Sequence, residues 1–348
     1  MIYMTFDYYE KHFRDKAIQS GFSEDNVLKC LNYAKPLIDN KLPVIFNTAN
    51  LAALVGYKKN YIKKSVLYPT YFYRSFKVKK RNGGIRIISE PLPSLKEIQY
   101  WILENILNEI PVSKYAKAYV RNRTLVDNIK YHKNKEILLG LDIEDFFTSI
   151  KRSSVEIIFR RLGYSSNISN LLSKLCCCYE SLPQGAPTSP YLSNIFLRDF
   201  DEEVSKYCNS NGIKFTRYAD DITLSGSFDP EKAIIFIKAA LYTQDLKLNK
   251  EKIKIMRKNE RQIVTGVIVN EKLQIPKIKR DKIRQEVYFL KKFGLSQHLI
   301  NTNNTKDNYV KHLMGKINFA LHINPNDKDM IENLKFVKSI YSKKSIEI

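Results

Sequence analysis

No apolar run of 18 residues occurs in this chain, so a membrane span is not expected. Its opening stretch, MIYMTFDYYEKHFRDK, lacks the apolar core of a secretory signal. Both absences point to a cytoplasmic protein without a membrane partner. Cysteine is scarce, five in 348 residues, and Cys176, Cys177 and Cys178 are consecutive. That spacing suits neither a disulfide framework nor a zinc site. These thiols are expected as small buried groups near a helix end. The five histidines show no His-Glu-x-x-His spacing. No internal repeat or long low-complexity linker is present. Acid is the main deficit: 36 Asp and Glu face 58 Lys and Arg, a net charge of +22. Such an excess favours a polyanionic partner, a nucleic acid or a polyphosphate.

The few acids are placed tellingly. Tyr218-Ala219-Asp220-Asp221 lies inside IKFTRYADDITLSG, where Ile213, Phe215, Ile222 and Leu224 alternate with polar residues. The pattern reads as a β-hairpin with two carboxylates at its tip. A solvated acidic turn would look the same in isolation. A second cluster upstream argues against that reading. Ile137, Leu138, Leu139, Leu141 and Ile143 form an apolar run typical of a buried central strand, and Asp142 is embedded in it. A buried Asp is costly unless paired, hydrogen-bonded or ligated. If Asp142 lies beside the hairpin tip, Asp142, Asp220 and Asp221 are enough to hold two Mg²⁺ ions about 3.5–4 Å apart, the geometry of two-metal phosphoryl transfer.

Around these motifs the chain divides coarsely. Residues 1–45 read as helical. Residues 46–70 suggest a short helical pair around Gly56, with Lys58, Lys59, Lys63 and Lys64 either a solvated face or an RNA contact. Phe76, Val78, Ile85 and Ile87 alternate about Asn82-Gly83-Gly84, a second hairpin. A helix follows Pro91, with Leu95, Ile98, Trp101, Ile102 and Ile106 at helical spacing. Ser153 and Glu156 form a capping box for the next helix. Another helix is expected from Ser189-Pro190 toward Cys208, and a third from Asp229-Pro230. Strands and helices alternating through 136–256 make an α+β pattern, an antiparallel sheet with helices on one face. In the last segment Lys277, Lys279, Arg280, Lys282 and Arg284 interleave with Ile278, Ile283, Val287 and Leu290, a basic amphipathic helix suited to phosphates.

The ordered blocks KKRNGGIRIISEPLPSLKEIQYWIL, AYVRNRTLVDNIKYH, LDIEDFFTSI, LPQGAPTSPYLSN, TRYADDITLSG, LKLNKEKIKIM and VTGVIVN resemble reverse transcriptases. Two features resemble the retron reverse transcriptases of bacteria: Val264-Thr265-Gly266, and Asn128-x-x-x-His132, where Ile129 replaces the alanine usual in that subfamily. The resemblance implies a right-hand polymerase. It would have an N-terminal helical extension over 1–45, fingers over 46–135, a palm over 136–270 and a helical, RNA-binding thumb over 271–348. Residues 152–180 belong to the palm or pack with the fingers. The implied activity is RNA-directed DNA synthesis with two Mg²⁺ ions, Mn²⁺ being a substitute. The retron type further implies a cognate structured non-coding RNA as template and a guanosine 2′-hydroxyl as primer. The product would be a branched RNA–DNA hybrid, multicopy single-stranded DNA, used in antiphage defence with a separate effector protein. The rivals are another bacterial reverse transcriptase, group II intron-like or defence-associated, and a catalytically silent RNA-binding scaffold. Three intact aspartates argue against the scaffold.

The same resemblance assigns roles. Asp142, Asp220 and Asp221 would be the catalytic metal ligands, joined by the carbonyl of Ile143. Lys79 and Arg86 would grip the triphosphate of a deoxynucleotide. Phe147 would lie under its sugar, and Gln184-Gly185 would contact that sugar. Lys252, with Lys250 and Lys254 as rivals, would meet the triphosphate and protonate the pyrophosphate. Tyr218, Val264, Thr265 and Gly266 would lie near the primer. Asn128 and His132 would organise RNA, although His132 could equally be a satisfied structural histidine. Lys279, Arg280 and Arg284 would bind RNA from the thumb.

Overall fold

Short polar junctions start and stop most of the helices. Thr5 and Ser23, both in extended backbone, precede α1 (Phe6–Gln19) and α2 (Glu24–Asp39). The Asn47 side chain accepts from the amides of Ala49 and Asn50, at 2.9 and 3.0 Å, and opens α3 (Thr48–Val55). Gly56, at φ +75°, ends it and turns the chain into α4 (Lys59–Leu67). The expected helical pair around Gly56 is therefore present. This computed structural model describes residues 5–79, 83–304 and 308–344.

Next come β1 (Tyr73–Lys79) and β2 (Ile85–Pro91), then α5 (Pro93–Asn105) and the single-turn α6 (Leu125–Ile129). β3 (Ile137–Asp142) leads through α7 (Phe146–Ser149) to α8 (Arg152–Arg161), α9 (Ser166–Cys176), α10 (Ser189–Phe196) and α11 (Arg198–Ser210). β4 (Lys214–Tyr218) and β5 (Asp221–Gly226) form the acidic hairpin, followed by α12 (Pro230–Tyr242). β6 (Lys254–Arg257), β7 (Ile263–Val264) and β8 (Val267–Ile268) precede three final helices, α13 (Lys277–Asn301), α14 (Tyr309–Ile323) and α15 (Lys328–Lys344). Among the described residues no helix is long and apolar enough to cross a membrane.

These elements fall into two compact units that share the chain discontinuously. One takes Met1–Arg121, Ile143–Ser205 and Phe236–Asn249; the other takes Asn122–Asp142, Lys206–Ile235 and Lys250–Ile348. In the first unit, buried Gln99 donates to the Tyr73 hydroxyl at 2.7 Å and to the Leu175 carbonyl at 2.8 Å. It thereby ties α5 to β1 and α9. The β1–β2 hairpin projects with little cover. Phe76, Val78, Ile85 and Ile87 are 42–60% exposed, so their alternation marks a ladder and not a buried face. Asn82 of the expected turn lies outside the described residues. Cys176, Cys177 and Cys178 are buried where α9 ends, as the sequence suggests. Burial pushes the Cys176 thiol up to about 12, far from a reactive thiolate.

Two helix starts differ from expectation. The Ser153–Glu156 capping box does not form. α8 begins at Arg152 behind Lys151, and Glu156 is bound instead by Arg152, Arg160 and Asn170. A capping box does form at Thr124–Asp127, ahead of α6. The helix from Ser189 also does not run unbroken to Cys208; Leu197 divides it into α10 and α11.

The second unit is built on a four-stranded sheet of order β4-β5-β3-β6, with every pairing antiparallel. The register sorts side chains to two faces. Asp142, Gly140 and Leu138 lie opposite Asp221, Thr223 and Ser225 on one face; Leu141 and Leu139 lie opposite Ile222 and Leu224 on the other. His132 sits fully buried on the polar face. Its Nδ1 is 2.7 Å from the Ser225 hydroxyl and its Nε2 is 2.8 Å from the Thr216 hydroxyl. Val264, Val267, Ile283, Val287, Leu290, Leu313, Ile317 and Val337 gather β7, β8 and the last three helices into a second core. Ile278, expected among the apolar positions of α13, is 78% exposed, and α13 is broken at Gly294.

His132→Ala would leave a cavity and two buried hydroxyls without their partner. It should lower folding stability by about 3–5 kcal/mol in urea titration.

Candidate active site

β3 and β5 end together, in a register that places Asp142 directly opposite Asp221. β4 and β5 close on the pair Tyr218 and Asp221, leaving Ala219 and Asp220 as the two turn residues. Ala219 is buried and has φ +59°, a left-handed conformation that glycine ordinarily takes. So tight a hairpin brings its acids to the ends of central strands. The Asp221 carboxyl is raised to about 6, first by its protein surroundings and then by the charges of Asp220 and Asp142, with Lys252 and Lys254 opposing. The residue surface itself is open to water, so the neighbouring acids are the more durable part of this shift.

Lys252 closes a 3₁₀ turn, Lys250–Lys252, just before β6. Its Nζ donates to both oxygens of Asp142, at 2.8 and 2.9 Å. Burial opposes its charge, but the Asp142 hydrogen bond and the charges of all three aspartates raise its pKa above the usual lysine range. Of the three candidate lysines, Lys252 is the one bound to Asp142, whereas Lys254 pairs with Gly140 on β3. The donor set suits a hard, oxygen-liganded cation, because the acids repel one another and Asp221 resists ionisation. Among the described residues, however, no group of three or more acids, histidines or cysteines is drawn together as a ready ligand set. Asp142 and Asp221 face each other by register, and Asp220 stands beside them in the turn, close enough for its charge to act on Asp221.

The remaining candidates of the first unit are arranged as follows. Ile143 is buried and bridges to Leu248, and the Glu144 amide donates to the Lys247 carbonyl at 2.9 Å. Asp145, at φ +45°, then turns the chain into α7. Phe146 and Phe147 are therefore the first two residues of a helical turn and differ in burial. Phe146 is core, while Phe147 is half-buried with its ring 6.5 Å from that of Tyr119. Gly185, at φ +132°, makes its close approach to β2: an added Cβ would lie 2.9 Å from the Ser89 carbonyl oxygen. The Ser89 amide also donates to the Gln184 carbonyl at 2.8 Å. Lys79 and Arg86 are both exposed, but Arg86 pairs with Val78 and Lys79 with Ile85, which puts the two cations on opposite faces of the hairpin. The hairpin does not offer them side by side.

Residues 78–285 match the family described as reverse transcriptase (RNA-dependent DNA polymerase). Retron Ec86 reverse transcriptase of Escherichia coli is 30% identical over 287 residues, 81% of this chain and 86% of that protein. The chain belongs to the retron reverse transcriptases. Retron Ec83 reverse transcriptase, also from Escherichia coli, is 33% identical over 277 residues, 74% of this chain and 85% of that one. A solved foamy viral protease–reverse transcriptase bound to double-stranded DNA aligns with a TM-score of 0.46 and 16% identity, over 79% of this chain and 39% of that one.

This retron reverse transcriptase is an RNA-directed DNA polymerase. Its Val264-Thr265-Gly266 motif closes the β7–β8 hairpin: Val264 pairs with Val267, and Thr265 at φ +45° and Gly266 at φ +82° make the turn. The Asn128 amide donates to the Thr265 hydroxyl at 3.3 Å. Asn128 and His132 are both fully buried, and of the two readings of His132 its bonds to Ser225 and Thr216 fit the satisfied structural histidine; neither residue presents an edge to RNA. Arg280 is also turned inward, bound to Asp327 at 2.7 Å and to Asp329 at 3.0 Å, and Arg284 is bound to Asp329. Lys279 remains exposed. Asp327 and Asp329 were not legible as partners, because nothing in their spacing points 47 residues back along the chain.

The raised Asp221 carboxyl makes its ionised form unfavourable in the fold, a cost present above about pH 6 and absent below the unfolded value near 4. Metal-free Asp221→Asn should therefore melt higher than the parent at pH 8. The difference should shrink as pH falls through 6 and vanish near 4, as differential scanning calorimetry would show.

Proposed function

We propose that this polymerase copies part of its own structured non-coding RNA, starting from a guanosine 2′-hydroxyl. The product is a branched RNA–DNA hybrid, multicopy single-stranded DNA. Kinship to retron reverse transcriptases over most of the chain is the observation that carries this reading. The retained hybrid serves antiphage defence in the cytoplasm, together with a separate effector protein.

In this reading Asp142, Asp220 and Asp221, with the Ile143 carbonyl, hold two Mg²⁺ ions, for which Mn²⁺ can substitute. Bound there, the ions supply charge neutralisation for phosphoryl transfer. The primer hydroxyl loses its proton to solvent as its oxygen bonds to the α-phosphorus of the deoxynucleotide, and the bond to the pyrophosphate oxygen breaks. Lys252, its charge favoured by the three aspartates, delivers a proton to that leaving oxygen. Arg86 or Lys79, each from its own face of the hairpin, binds the triphosphate. Phe147 and Gln184 face the sugar, and Phe147 excludes ribonucleotides by steric conflict with a 2′-hydroxyl. Tyr218 and the Val264–Gly266 turn lie along the primer. Residues 46–135, 136–270 and 271–348 act as fingers, palm and thumb, and exposed Lys279 contributes to RNA binding.

Protein purified with its native locus should carry a short DNA joined to RNA until debranched, seen by nuclease digestion and gel analysis. The Asp220→Ala/Asp221→Ala variant should carry RNA alone. RNA alone in both preparations overturns the branched-DNA reading. On a preformed primer–template, Asp142→Asn should lower synthesis at least about a thousandfold. Lys252→Gln should lower it about a hundredfold, with the loss in kcat.

A further inference from the structure

Arg217 is the largest side chain that is fully buried among the described residues. A guanidinium stays charged at any physiological pH, so burying one is costly unless its donors are used. Arg217 lies on β4 opposite Ile222, and Ile222 lies opposite Leu141. It therefore occupies the apolar face of the sheet, behind the face that carries Asp142 and Asp221. From there its Nη1 donates to the Ala219 carbonyl at 3.1 Å, two residues ahead. This is not its only interaction.

Ala219 is the turn residue with positive φ, held where an L side chain is strained. A charge-assisted hydrogen bond to its carbonyl is of the same order as the cost of one left-handed alanine and offsets it. The charges acting on Asp221 come from Asp220, Asp142, Lys252 and Lys254. Among its interactions, Arg217 engages the backbone between Tyr218 and Asp220.

We propose that Arg217 is a positioning residue for the acidic turn: its buried guanidinium grips the Ala219 carbonyl, fixes the left-handed alanine and thereby aims the carboxylates of Asp220 and Asp221. The inference rests on the reading of those acids as the cation-holding pair. Lysine at 217 keeps the charge but loses the planar fork that directs the bond. Glycine at 219 adopts positive φ without strain and needs no grip.

The test is a double-mutant cycle of Arg217→Lys and Ala219→Gly. It is followed by Mn²⁺ affinity in electron paramagnetic resonance, by metal-free thermal midpoint, and by kcat and KM on a preformed primer–template. Arg217→Lys should weaken Mn²⁺ binding about tenfold and lower kcat with little change in KM for the deoxynucleotide. The double variant should recover Mn²⁺ affinity to within about threefold of the parent. Unchanged Mn²⁺ affinity in Arg217→Lys overturns the proposal. A loss that Ala219→Gly does not reduce also overturns it, making Arg217 a packing group. If Arg217→Lys does not fold, recovery of folded protein in the double variant supports the grip, and no recovery overturns it. If the parent binds no Mn²⁺, the cation reading falls, and the thermal cycle still decides the grip: coupling between the two sites supports it and additivity overturns it.

Discussion

Like charges facing each other across two central strands are the constraint on which the second unit depends. Asp142 and Asp221 are paired by register, so neither can retreat without slipping a strand and turning every side chain of the sheet to the wrong face. The repulsion is therefore locked in by the apolar alternation of Leu139, Leu141, Ile222 and Leu224. Lys252 offsets part of it by binding both oxygens of Asp142. The Asp221 carboxyl is raised first by desolvation on burial and then by the charges of Asp220 and Asp142. Core packing thus holds the acids in place against their mutual repulsion.

Behind the acids, the sheet is supported on both sides by polar groups where apolar ones would be usual. On the acidic face, Thr223 and Ser225 continue the row begun by Asp221, and His132 spans Ser225 and Thr216 with its two ring nitrogens. On the other face, Arg217 reaches along its own strand to the turn. Hydrogen bonds have direction where hydrophobic contact has none. Such groups can fix the angle of a hairpin tip in a way that leucines cannot.

Much of this was legible from the chain, for identifiable reasons. Period-2 alternation marked β4 and β5, and a continuous apolar run marked β3, because a strand buried on both faces has no polar phase to show. The acids could be assigned to strand ends because a charge embedded in an apolar run is too costly to keep without a partner or a ligand. Helix starts were less secure. Ser153 and Glu156 had capping spacing, but Arg152 and Arg160 claimed the glutamate first. The faces of Lys79 and Arg86 were not legible, because hairpin register depends on loop geometry as well as pattern. His132 was readable as either a surface or a core residue, and only its burial decides between them. Arg217 does carry a signal in the sequence: it shares the phase of Ile213 and Phe215, so a charge stands where the alternation requires an apolar residue.

Gly185 has a mechanical consequence. The loop before α10 rests on β2 at backbone contact, with no room for a methyl group between Gly185 and the Ser89 carbonyl. The Ser89 amide is at the same time bound to Gln184. Strand and loop are thus geared together. The inner end of the thinly covered hairpin is thus meshed with Gln184, and a shift of β2 at Ser89 must carry that loop with it or break the Ser89–Gln184 hydrogen bond.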